Sequence, residues 1–400
     1  MRAQQNTVES STSGIGAKNF LKAPPIILEY AYYALVFNGI FGLVSIPFLG
    51  IGGYLIIAVL CVMHFGKFAL FVYRPIALAL GCAFFAVLLN FVLHEEGIGQ
   101  EQMREYITWA VCLIVVQSLA MRKGFLQRFA IFAFLVGLDA FLSLRLSGDP
   151  TELVRAGSED LGSANAVAMW YGFCFIYFLI SGLEAKNNFV RGSSWAGGLF
   201  CFMLMGMTVS RGPLLGAAIA GALAFKRVLK RSFLPVIGFL IISWFVYIAG
   251  LLDNIIGYYI ERGTVETGRI YLWERGFAQF LDSWWGGVGF SNAKITKYGG
   301  TEGGSGPHNS LINIGFSSGV IPLVLYMSYL WETARRAFQL RKERSGYAPF
   351  LLPMFSFAML EMMILDWTFM NPWVMVVFAT ILSEQNYLRF RSNRGESNLS

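Results

Sequence analysis

Two residues of this 400-residue chain stand where their type and setting could do chemistry on an anion: Arg211 in the turn Ser-Arg-Gly-Pro, and His308 in Gly-Pro-His-Asn-Ser. Each precedes an apolar run read as a helix. Each therefore meets a helix N-terminus, with its free N–H groups and positive dipole end. Asn309 and Ser310 are ready caps for the helix after His308. A phosphate arriving there would find a guanidinium, an imidazole and two sets of backbone amides. Other kits lack their parts, because GxxxxGK[ST], GxSxG, HExxH and the kinase set are all missing from the sequence. Of the 3 histidines, His64 and His94 fall at span ends, where the membrane boundary tolerates an amphipathic ring.

Those residues need a scaffold, and the composition says which kind. The chain is 56% hydrophobic and 14% charged, with 36 Phe and 10 Trp, far from the balance of a soluble globular domain. It reads as an all-α polytopic membrane protein. A spanning helix takes about 20 apolar residues, so twelve would use roughly 240 and leave short loops and one longer one. Apolar runs between charge clusters give spans at 25–43, 47–64, 75–93, 106–121, 129–144, 164–182, 195–210, 212–225, 233–252, 308–331, 347–365 and 373–387. The expected order is a cytoplasmic tail (1–24), nine helices (25–252), a long periplasmic loop (253–307), three helices (308–387) and a second cytoplasmic tail (388–400). The first 23 residues are polar and lack the features of a secretory signal, which leaves the first span as the expected membrane signal. The 5 cysteines all fall in apolar runs and read as small core residues.

Sidedness follows from the basic residues. With both termini inside, 22 of the 31 lysines and arginines fall in inner segments and nine in outer ones, as the positive-inside rule requires. The formal charge of +7 is thus a topology signal, not a nucleic-acid footprint. The seventh and eighth spans hold only 16 and 14 residues, about 24 and 21 Å against a hydrocarbon core of about 30 Å. The turn between them is expected to lie recessed, which puts Arg211 where a cation needs a wet cavity or an anion. In the long loop, 267–281 places Ile270, Trp273, Phe277 and Phe280/Leu281 at three-to-four spacing. That pattern suits an amphipathic helix at the membrane interface, or one packed over the bundle. The loop carries five basic and six acidic residues, so its net charge does not make it a simple lipid-adhesion patch.

The runs MTVSRGPLLGAAIAGALAF, TGRIYLWERGFAQFLDSWWGGVGF and GPHNSLINIGFSSGVIPLVLY follow in order within 195–331. Here the chain resembles the conserved half of the O-antigen ligase and polysaccharide polymerase superfamily of bacterial inner membranes. The resemblance implies a glycosyltransferase that uses no metal, nucleotide or other cofactor and works at the periplasmic face on glycans carried by undecaprenyl pyrophosphate. Carried over position by position, it assigns Arg211 and Arg269 to the pyrophosphate and His308 to the catalytic base. Arg275 lies near the second motif but off its position, and reads as a surface charge. No DxD motif stands in the outer segments, and the first outer loop, 44–46, is too short to carry a catalytic carboxylate. The chain thus departs from metal-dependent glycosyltransferases. Implied partners are a lipid-linked glycan donor, a lipid-linked glycan or lipid A core acceptor and membrane lipids, with room for contacts to other polysaccharide-assembly proteins.

Two activities share these parts. One polymerises O-antigen or exopolysaccharide repeat units, the other ligates the glycan to lipid A core, and no residue separates them; polymerisation is the reading preferred. A lipid-linked glycan flippase is the alternative of another class. Coupled transport gathers ionisable groups at mid-membrane, whereas Asp139 is the clearest case here, expected to satisfy a neighbouring helix, and Glu361 lies nearer the outer end.

Overall fold

Leu, Ala, Phe and Met fill most of the apolar runs. Packed in low-polarity surroundings, such runs satisfy their backbone groups as helices. The computed structural model describes residues 24–41, 49–65, 74–95, 101–142, 144–147, 155–158, 164–208, 210–229, 269–295, 306–342, 347–366 and 368–393. Among these residues the helices are α1 (Ile26–Phe41), α2 (Leu49–Phe65), α3 (Arg74–Leu93), α4 (Glu101–Leu119), α5 (Phe125–Leu142), α6 (Ala164–Glu184), α7 (Asn188–Met207) and α8 (Arg211–Leu229). They continue with α9 (Arg269–Asp282), α10 (Ser310–Ser318), α11 (Val320–Lys342), α12 (Ala348–Met362) and α13 (Pro372–Asn393). Between α5 and α6 a small antiparallel ribbon pairs β1 (Leu144–Ser147) with β2 (Arg155–Ser158), Leu144 opposite Ser158. The ninth expected span, 233–252, falls outside the described residues.

Two helices form the centre. On α13 every residue from Trp373 to Leu382 is buried, and on α6 every residue from Val167 to Tyr177. A helix apolar on all sides has to be surrounded, and α13 packs on α4, α5, α11 and α12 while α6 packs on α5, α7, α8 and α12. Polar groups inside find partners: Trp170 Nε1 donates to the Ala133 carbonyl at 2.8 Å and Tyr171 OH to the Gly137 carbonyl at 2.7 Å, tying α6 to α5. All five cysteines are buried and unpaired. The outer helices instead expose large apolar side chains, such as Leu55, Ile56 and Met63 on α2, Phe84 and Phe91 on α3, and Met327 and Trp331 on α11. A shell of this kind belongs against lipid. By length and composition Arg74–Leu93 and Ala164–Glu184 can cross a membrane, and shorter apolar helices accompany them.

Three expectations need correction. First, α7 and α8 have 20 and 19 residues, about 30 and 28 Å long, so shortness no longer argues for a recessed turn. Counting apolar residues stopped at polar ends, whereas α7 begins at a capped polar turn, Asn187 Oδ1 accepting the Phe189 amide at 2.8 Å. Second, the tenth span is two helices, broken at Gly319 (φ +85°). Third, Asp139 is exposed. It continues the outward row of Ile131 and Leu135 on α5, four residues apart along one helix face.

Candidate functional site

The end of α12 is where three parts of the chain meet. The Glu361 carbonyl accepts the amides of Ile364 and Leu365 at 3.0 and 3.1 Å, which closes the helix. The residues that follow hold the start of α10. Ser310 Oγ donates to the Leu365 carbonyl at 2.6 Å, and Asn309 Nδ2 reaches the Met363 sulfur at 3.5 Å. The Asp366 carboxylate contacts two neighbours at once: Oδ1 accepts the Asn309 amide at 3.1 Å, and Oδ2 lies 3.4 Å from His308 Nδ1. Gly306 sits directly against the same carboxylate, where a Cβ would have no room.

His308 itself is strained. Its φ of +51° is the left-handed region, which costs a side-chain-bearing residue about 1–3 kcal/mol unless its surroundings impose it. Those surroundings are Asp366 on one side and Asn309 on the other. Asn309 returns to extended backbone and caps α10, its Oδ1 accepting the amides of Leu311 and Ile312 at 3.0 and 3.1 Å. With Asp366 facing Nδ1, Nε2 is the ring nitrogen left to accept a proton. The imidazole is 36% exposed, open to a substrate.

Arg211 is the first residue of α8 and is exposed. Ser210 Oγ, just before it, donates to Asn165 Oδ1 at 2.9 Å, which ties the turn to the start of α6. Just after it, Gly212 lies against Ile364 so closely that a Cβ would collide with that side chain. The N-terminus of α8 is thereby docked on the Glu361–Asp366 stretch.

Arg269 opens α9 and is half-buried. The helix rests on the His308 segment through Gly276, whose missing Cβ would lie 3.1 Å from both Pro307 and Ile312. Its far end is pinned as well: Val320 N donates to the Trp284 carbonyl at 2.8 Å and Val288 N to the Phe316 carbonyl at 2.9 Å. Asn90 of α3 adds a lock, its Oδ1 accepting the Phe290 amide at 2.8 Å and its Nδ2 donating to Ser318 Oγ at 3.2 Å. Leu272 and Gly276 face inward, while Ile270, Phe277 and Leu281 point away from the protein with Trp284 and Trp285. The amphipathic helix read from the sequence thus both packs over the bundle and offers its expected apolar stripe to a surrounding phase.

Two of the residues singled out in the sequence therefore reach one stretch, Arg211 through Gly212 and Ile364 and His308 through Asp366, while the helix that Arg269 opens rests on the His308 segment through Gly276. Arg275 does not. Its guanidinium lies 5.5 Å over the Tyr271 ring of its own helix and is exposed. His94 Nε2 stands 3.4 Å from the Gly286 carbonyl, a helix-end contact, and the side chain of His64 falls outside the described residues. Sequence reasoning missed Asp366 as a partner of His308. The signal was present, since Glu361 and Asp366 are the only charged residues in 347–373.

Compared with known families, residues 196–327 match the family model described as O-antigen ligase. The likeness read from the three motifs is borne out over that stretch, which holds Arg211, Arg269 and His308. No curated protein matches the chain.

Proposed function

We propose that this protein is a bacterial inner-membrane glycosyltransferase that acts at the periplasmic face on undecaprenyl-pyrophosphate-linked glycans and polymerises O-antigen or exopolysaccharide repeat units. The observation that carries the proposal is the meeting of the Arg211 and His308 segments on Glu361–Asp366, with the helix that Arg269 opens resting on the His308 segment and Asp366 3.4 Å from His308 Nδ1. In the reaction, an acceptor hydroxyl attacks the anomeric carbon of the donor glycan. The new glycosidic bond forms as the carbon–oxygen bond to pyrophosphate breaks. His308 Nε2 takes the hydroxyl proton, and Asp366 orients the ring and offsets the charge it gains. Negative charge grows on the departing pyrophosphate, and Arg211 and Arg269 stabilise it there with the amides at the α8 N-terminus. This chemistry uses no metal, so EDTA should leave turnover of the purified enzyme unchanged.

The membrane arrangement belongs to the same proposal: twelve spans, both termini cytoplasmic, the loop 253–307 periplasmic. Reporter fusions after Arg231 and Arg344 should read cytoplasmic and one at Gly300 periplasmic. A cytoplasmic signal at Gly300 would remove the proposed active face. A second reading, transfer of the glycan to lipid A core, is favoured by the description of the matched family as O-antigen ligase. Glycan profiling of a deletion strain separates the two. Single repeats on the core without long chains indicate polymerase, and long chains stranded on undecaprenyl pyrophosphate indicate ligase. If neither pattern changes, the glycosyltransferase reading fails.

A further inference from the structure

From Pro75 to Leu93 the residues of α3 are apolar but for Asn90, the one side chain there besides Cys82 that can hydrogen-bond. Asn90 is fully buried. A buried amide is costly unless its polar atoms find partners, and the partners found here come from distant parts of the chain. Its Nδ2 donates to the Ala86 carbonyl at 2.9 Å, one turn back on α3, and to Ser318 Oγ at 3.2 Å, with the Ser317 carbonyl at 3.4 Å. Its Oδ1 accepts the Phe290 amide at 2.8 Å. Ser317 and Ser318 end α10, and Phe290 lies in the stretch that leaves α9. One side chain of α3 therefore holds the exits of both helices.

What those bonds hold is a register. α9 and α10 lie side by side and parallel, since Gly276 meets Pro307 and Ile312, Phe280 meets Gly315, and the Trp285 carbonyl meets Gly319. At its start α10 has an anchor of its own, where Asp366 and the Leu365 carbonyl bond Asn309 and Ser310, and that anchor places His308. α9 is held less firmly. Its outward face is exposed at Ile270, Phe277 and Leu281, and its inward face shares only a small core of Leu272, Ile295 and Phe316. The bundle grips the stretch after α9 at Phe290, whose amide bonds Asn90 and whose ring stacks on Tyr106 at 5.2 Å, with a longer contact from His94 Nε2 to the Gly286 carbonyl at 3.4 Å. Arg269 opens the helix at the end farthest from these ties, about 10 Å along the axis from Gly276. A tilt or slide of α9 at its exit therefore moves Arg269 while His308 stays on its own anchor. We infer that Asn90 is a positioning residue: by tying the exits of α9 and α10 to α3, it sets where Arg269 stands relative to His308 and Arg211. The inference rests on the proposed role of Arg269 as a pyrophosphate ligand.

The experiment uses the full-length protein in detergent and takes two readouts, a distance and a rate. Spin labels on Ile270→Cys, exposed beside Arg269, and on Met207→Cys, exposed at the end of α7 just before the Arg211 turn, report the distance from the opening of α9 to the bundle. Asn90→Leu is similar in size and makes none of the bonds. It should broaden and shift the distance distribution found with Asn90 in place, and should lower turnover of the undecaprenyl-pyrophosphate glycan by about tenfold to 100-fold, as an ångström-scale misplacement does. In the Arg269→Ala background the same change should cost almost nothing further, since no guanidinium is left to place. Combined with Asp366→Asn the two losses should multiply, because His308 is held by a separate anchor. Ser318→Ala removes one arm and keeps the bond to Phe290, so it should lose less turnover than Asn90→Leu. The inference is overturned if Asn90→Leu keeps the wild-type distances or the wild-type turnover, or if its loss multiplies with that of Arg269→Ala. Asn90→Ser, too short to reach both partners, is the second variant, and if neither variant folds the residue is structural and the inference fails. Should wild type transfer no glycan, the proposed function falls and the role of Arg269 with it, whereas unchanged label distances in Asn90→Leu would sink the tie itself.

Discussion

Among the described residues two glutamates are 0% exposed, and they are treated oppositely. Glu29, near the start of α1, is saturated: Arg128 Nε and Nη2 donate to its two oxygens at 2.7 and 2.8 Å, Tyr33 OH donates at 2.6 Å, and Arg122 Nε lies 3.3 Å away. Glu361, near the end of α12, has no hydrogen bond to its carboxylate among the described residues. One helix links the two regions. The hydroxyl of Tyr347, at the start of α12, accepts the Gly124 amide beside the Arg122–Arg128 segment, and α12 then runs to Glu361 at its other end. A buried acid whose lone pairs are all used is a rivet. One left without a partner among the described residues, on the helix whose end meets a strained histidine and the start of α8, marks the place where the protein spends stability on chemistry.

The largest expected effect lies at the unsatisfied end. His308→Ala should cut glycan transfer by about 10²–10⁴-fold, the usual worth of a positioned general base, while detergent chromatography shows an unchanged folded species. Asp366→Asn should cost less, because the imidazole stays and loses only the charge beside Nδ1. A His308→Ala protein that still transfers glycan would mean that the strained backbone at φ +51° serves folding alone.

Next come the guanidiniums. Arg211→Lys and Arg269→Lys should each lose about 100- to 1,000-fold in turnover, since an ammonium cannot offer two parallel hydrogen bonds to phosphate oxygens as the transition state forms. Near-normal turnover in both would remove the clamp from the mechanism.

The saturated end should answer with stability instead. Glu29→Ala strands Arg128 and should destabilise the fold by about 3–5 kcal/mol, as breaking a buried ion pair does. Transfer per folded molecule should stay near wild type, because none of the site residues touches this cluster. A loss of turnover without a loss of thermal stability would erase the contrast between the two glutamates.

How much of this contrast was legible in the sequence depended on sequence distance. α9 was readable because its three-to-four spacing lies within one helix, and its bounds, Arg269–Asp282, fall close to the expected 267–281. Arg211 and His308 were readable because helix starts announce themselves locally through Pro, Asn and Ser. Arg269 came from its motif alone. The pairings could not be read, since Asp366 meets His308 and Gly216 meets Glu361 only after α8, α10 and α12 have packed together. Gly319 shows the same limit: its break was hidden inside an apolar run, and the close approach to the Trp285 carbonyl that requires a glycine comes from α9's far end.

The smallest effect is expected where the motif region carries a cation that the site does not use. Arg275 sits on α9 six residues after Arg269, exposed, with its guanidinium 5.5 Å over the Tyr271 ring. An exposed cation over an aromatic ring contributes about 0.5–1 kcal/mol, and lysine keeps the charge if not the planar fit. Arg275→Lys should therefore leave turnover within about twofold of wild type and shift thermal unfolding by a degree or two. Because Arg275 and Arg269 share one short helix, any loss of the helix itself would damage both variants alike. Only a difference between them reports on which guanidinium faces the donor. If Arg275→Lys alone is inactive and Arg269→Lys is not, α9 presents its other face to the substrate, and the apolar stripe of Ile270, Phe277 and Leu281 points into the protein's working cleft instead of into lipid.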